Sequence, residues 1–198
     1  VSGFTGTQAE LLYSMPASGP AATAAATTAI SFPNTTTFPA YSLPAGPNGI
    51  FPNTYGAGKS LLIKGGGWFT TSSTAMTQTI SIGFDSTAGT LSALKCSTGA
   101  FTPTASVTNG AFEFEVMATM TNLGASGTMN AVGHLLWGTG NNAATASPQI
   151  FMMGAPNAGI ALINTNTVTY FVEAFSAWSL TTGAPTVTLT NFLVFGLN

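Results

Sequence analysis

Ala111-Phe112-Glu113-Phe114-Glu115-Val116-Met117-Ala118-Thr119-Met120-Thr121 decides the fold class. Phe112, Phe114, Val116, Ala118 and Met120 fall on one side of a pleat. Glu113, Glu115, Met117, Thr119 and Thr121 fall on the other. Such a period of two predicts a half-buried β-strand, because a helix would scatter the same apolar residues around its axis. The pattern continues outward on both sides. Upstream, Leu61, Ile63, Gly65, Gly67 and Phe69 alternate with Leu62, Lys64, Gly66 and Trp68, and the glycine triplet predicts a bulge or a close backbone approach. Met76, Gln78, Ile80, Ile82 and Phe84 alternate with Thr77, Thr79 and Ser81, and a short strand follows at residues 91–96. Downstream, strands are expected at 128–137, 149–153, 160–164, 168–179 and 185–197. The count is eight to ten strands separated by turn residues, with no long helical pattern. The fold class is all-β, a sandwich or barrel of antiparallel strands.

Two regions precede these strands. Residues 1–37 are rich in Ala, Thr and Pro and poor in large apolar side chains, so they read as an N-terminal arm or tail. Phe4, Leu11, Leu12 and Tyr13 are its candidate anchors. Residues 38–198 form the domain, opening on a Pro- and Gly-rich stretch with one short strand at 40–43. Two strands are apolar on both faces, at 168–179 and 185–197. This points to a subunit packed on their outer side, with Phe171, Phe175, Phe192 and Val194 as candidate contacts.

Composition removes several functions. The chain has 198 residues, of which 4% are charged, with no Arg and a net charge of −2; an ordinary domain carries roughly 25% charged residues. Three lysines make no footprint for nucleic acid. No window is apolar enough for a spanning helix, the opening Val1-Ser2-Gly3 shows no basic n-region, so no signal peptide is expected, and a transmembrane β-barrel fits poorly with strands of such uneven length and apolarity. Thr, at 33 positions, with Ser, Asn and Gly, must keep the surface wetted. Such a surface repels its own copies weakly and suits a chain that lives inside an assembly.

Reactive groups are equally sparse. Glu113 and Glu115 share one strand face roughly 7 Å apart, whereas glycosidase carboxylates face each other across a cleft; a solvated sheet face is expected. His134 is the sole histidine and lies mid-strand, so it reads as a core or interface residue rather than part of a triad. Cys96 is the sole cysteine; Lys95 beside it could lower its pKa slightly, but no disulfide or zinc site follows from one Cys and one His. Gly56-Ala57-Gly58-Lys59-Ser60 imitates a phosphate loop, but Asn53 replaces the first glycine and a strand follows in place of a helix. Trp68, Trp137 and Trp178 could stack on sugars if exposed. No cofactor or metal is expected.

The runs Gly58-Lys59-Ser60-Leu61-Leu62-Ile63-Lys64-Gly65-Gly66-Gly67-Trp68-Phe69, Ala111-Phe112-Glu113-Phe114-Glu115-Val116 and Val187-Thr188-Leu189-Thr190-Asn191-Phe192-Leu193-Val194-Phe195 resemble the opening, central and closing strands of small virion structural proteins of tailed bacteriophages. The resemblance implies a jelly-roll β-sandwich similar to tumour-necrosis-factor-like heads, assembled as a homotrimer. It implies a capsid decoration or cement protein on the virion exterior, contacting the major capsid protein or another virion protein. The alternative is a receptor- or carbohydrate-binding head of a fibre or tail. It implies no catalytic residue.

Overall fold

The computed structural model describes residues 9–15, 21–23, 26–31, 41–43, 58–92, 95–122, 124, 126–140, 147–154, 160–161 and 170–197. They form an all-β sandwich of antiparallel strands: β1 (Ala9–Ser14), β2 (Ala21–Thr23), β3 (Ile30–Ser31), β4 (Tyr41–Leu43), β5 (Ser60–Thr70), β6 (Gln78–Asp85), β7 (Lys95–Ser97), β8 (Gly110–Asn122), β9 (Thr128–Trp137), β10 (Gln149–Gly154), β11 (Ile160–Ala161), β12 (Tyr170–Trp178) and β13 (Thr186–Leu197). No helix among the described residues is long and apolar enough to cross a membrane.

The front sheet runs β1-β13-β5-β8-β9-β10 and the back sheet runs β7-β6-β12, then β3 and β4. A single pair, Gly154 with Ser97, joins the two at one edge. Strands pair in a nest: β5 with β13, β6 with β12, the short β7 with β10 through one residue pair, and β8 with β9. First meets last and the rest follow inward, as the strands of a jelly roll do. The order within each sheet differs from that roll, because β8 lies beside β5 and β7 beside β6. The far edges of β13 and β12 are already occupied, by β1 and β2 on one and by β3 and β4 on the other.

Alternation puts the expected residues inside. Phe112, Phe114, Val116, Ala118 and Met120 of β8 are buried. They join one core with Ile63, Leu135 and Val194 of the front sheet and Ile80, Phe84, Val172 and Trp178 of the back sheet. Within it Trp137 stacks on Phe69 at 3.8 Å and meets Phe101 edge-on at 5.4 Å. Each fully buried large apolar side chain contributes about 1.5–3 kcal/mol, so the core needs no partner to be substantial.

The described strands of the arm, β1 to β3, pair with the sandwich. Leu12 and Tyr13 are half-buried against the core, Tyr13 meeting the Phe192 ring edge-on at 6.1 Å, while Leu11 stays exposed. Phe4 lies outside the described residues. Burial within one chain accounts for much of the doubly apolar strands, which corrects three of the four expected subunit contacts. Phe192 and Val194 are fully buried core residues on the inner face of β13. Phe175 lies on the outer face of β12, across Gly83 and beside Leu91, where residues 86–92 fold back over the back sheet. Of the four candidates, Phe171 alone retains partial exposure.

Candidate functional site

The outer face of the front sheet is where charge and exposed apolar surface meet. The register places its outward residues in rows across the strands. One row reads Leu11, Phe195, Leu62, Met117, Val132 from β1 to β9. Leu11, Met117 and Val132 are 53%, 43% and 62% exposed. The next row reads Leu193, Lys64, Glu115, His134, Met152. Within it Lys64 Nζ and Glu115 form an ion pair at 2.6 Å. The third row reads Asn191, Gly66, Glu113, Leu136, Ile150, and beyond it Trp68 stands beside Ala111.

Gly66 carries no side chain into this face, so the sheet is hollow there. The result is an open trough of about 650 Å³ whose walls include Trp68, Glu113, His134, Thr190 and Asn191. A local irregularity shapes it. β13 bulges between Leu189 and Asn191, leaving Thr190 unpaired in the ladder, and Thr190 donates its hydroxyl to the Gly66 carbonyl at 3.0 Å. The strand needs glycine at this point: a Cβ at Gly67 would overlap the Thr188 carbonyl oxygen, and one at Gly65 would enter the Phe114 ring. The bulge read from the triplet is thus real, but it lies on the partner strand, with the glycines admitting its close approach.

The sequence candidates separate clearly. Trp137 and Trp178 are core residues, and Trp68 is 51% exposed on the trough rim. His134 is an exposed face residue, not a core one, because its neighbours in register are Glu115 and Met152. Glu113 and Glu115 sit on one open face, as their spacing predicts. Cys96 turns inward to the core, where burial pushes its thiol up to about 12, opposite to the expected effect of Lys95. Leu61 to Ile63 form a strand, so residues 56–60 precede no phosphate-binding helix. No group of three His, Cys, Asp or Glu among the described residues could hold a metal ion.

Sequence reading missed Gly66, Thr190 and Asn191 as parts of one site. Alternation along β5 puts Lys64, Gly66 and Trp68 on one face. The register that brings Asn191 and Glu113 to flank Gly66 is a long-range property with no local signal. No family model, no curated protein and no solved structure matches the chain.

Proposed function

We propose that this chain is a structural virion protein that decorates or cements a bacteriophage capsid as a homotrimer. The supporting observation is the row Leu11, Phe195, Leu62, Met117, Val132, an apolar band across five strands with three members largely exposed. Single exposed apolar residues are ordinary, whereas a contiguous band marks a contact surface. A second copy of the same chain is its occupant. The net charge of −2 leaves copies little electrostatic reason to stay apart. A rotationally closed ring of three would remove the band from water in every copy. Cementing is then mechanical: the trimer binds assembled shell subunits and stabilises that state by mass action.

Light scattering on the full chain tests the reading. The expected mass is three times that of the chain, and Met117→Glu with Val132→Glu shifts it to one. A monomeric wild-type chain at high concentration overturns the trimer. A trimer that fails to bind expanded, undecorated phage capsids overturns the decorating role.

A further inference from the structure

We propose that the trough around Gly66 is a binding site for a neutral saccharide. The inference stands apart from the assembly reading. The trough runs from Trp68 to the Lys64 and Glu115 row, which forms its wall on the side of the apolar band.

Three features point to that ligand class. The first is Trp68, half-exposed and flanked by the small Ala111 and by Thr188 in register. Its ring offers a flat apolar surface at the lip of a polar hollow, which matches a sugar ring with one C–H face and a belt of hydroxyls. The second is the missing side chain at Gly66, two residues along the same face, roughly 7 Å away. The space it leaves lets a ring sit against the sheet beside the indole. The volume of about 650 Å³ falls within the ordinary range of small-ligand sites. The third is the wall chemistry. Glu113 offers carboxylate acceptors, Asn191 an amide that both donates and accepts, and His134 an imidazole. These are groups that bind hydroxyls.

Electrostatics favours an uncharged ligand. Lys64 is the sole cation among the trough's lysine and glutamate side chains and is already paired with Glu115 at 2.6 Å. Glu113 then adds a carboxylate that this pair does not neutralise. An acidic sugar or a phosphate would be repelled by that carboxylate while Lys64 is already engaged. An apolar ligand would strip water from Glu113 and Asn191 without replacing their hydrogen bonds.

The test uses the full chain. It is first passed over an array of immobilised neutral and acidic oligosaccharides. The best-retained neutral glycan is then titrated while tryptophan emission is followed. Trp137 and Trp178 are buried, so a change in emission reports Trp68. The expected result is retention on neutral glycans, with affinity nearly constant between about 50 and about 500 mM salt. Trp68→Ala weakens binding at least tenfold, and circular dichroism shows the fold retained. Asn191→Ala and Glu113→Gln each weaken it several-fold, which keeps the test open should the tryptophan variant misfold. Retention on no glycan, retention on acidic glycans alone, or Asn191→Ala and Glu113→Gln binding as tightly as the wild type would each overturn the proposal. None of these outcomes alters the mass read by light scattering, so the two readings fail separately.

Discussion

Ser31 donates its hydroxyl to Oε1 of Glu173 at 3.0 Å, fastening β3 of the arm to β12 of the back sheet. Oε2 of the same carboxylate accepts the Gly89 amide at 2.8 Å. One buried side chain therefore holds both the arm and the 86–92 loop on the outer face of the sandwich. Glu173→Ala removes the acceptor of both hydrogen bonds. It is expected to lower stability by about 1–3 kcal/mol, read from urea unfolding, and to speed proteolysis of the arm.

Acid should strengthen the fold through this same residue. Burial raises the Glu173 pKa above its ordinary value; the Gly89 and Ser31 hydrogen bonds oppose the rise, and Asp85 adds to it. Between the ordinary and the raised value the folded chain binds more protons than the unfolded chain, so stability falls as pH rises through that window. Glu173→Gln is expected to flatten this part of the stability profile. Unfolding midpoints measured across mildly acidic to neutral pH check it, and an unchanged slope in the variant refutes it.

Gly67→Ala should be among the most damaging single changes in β5. The added methyl would overlap the Thr188 carbonyl oxygen and force β13 away, at a cost of about 1–3 kcal/mol. Gly154→Ala is the contrasting case. A Cβ there meets nothing within 4 Å, so stability should hold or rise by up to about 1 kcal/mol. Chemical denaturation of the two variants side by side decides the matter.

The tryptophans divide by position. Trp137→Ala removes the ring stacked on Phe69 and is expected to cost about 3–5 kcal/mol. Trp68→Ala, on the trough rim, should change stability by less than about 0.5 kcal/mol. Thermal unfolding of both variants separates core from site.

Cys96 should behave as an inert apolar side chain. It is fully buried, and its pKa is pushed up to about 12 by desolvation. A thiol-reactive dye at about pH 8 should leave the native chain unmodified and label it fully in denaturant. Rapid labelling without denaturant would show that β7 opens readily.

The strands were legible because their signal is local. Phe112 to Met120 alternate so strictly that one face had to be buried, and it is. The outer cover of β12 was not legible. Phe175 and Ala174 are both buried, and the sequence offers the same apolar pair whether a subunit or the chain's own loop supplies the cover. Leu91 and Ser31, which do supply it, lie far away in sequence. Whether His134 faces the core was not legible for a similar reason. Its neighbours Gly133 and Leu135 gave no hint of side, and its side is set by the β8 register that pairs it with Glu115. Long-range pairing decided what local pattern could not.

β13 is the strand on which β1, β2 and β5 all converge, with Ser60 opposite Leu197. A nascent chain at the ribosome therefore leaves one edge of β5 unpaired until β13 follows, an interval on the order of ten seconds. During that interval the glycine triplet has β8 on one side and an open edge on the other, and the apolar side of β8 has half a core. The sandwich must close after β13 is made rather than piece by piece. Synthesis conditions that hold the growing chain in solution should govern its yield more strongly than the stability of the finished fold.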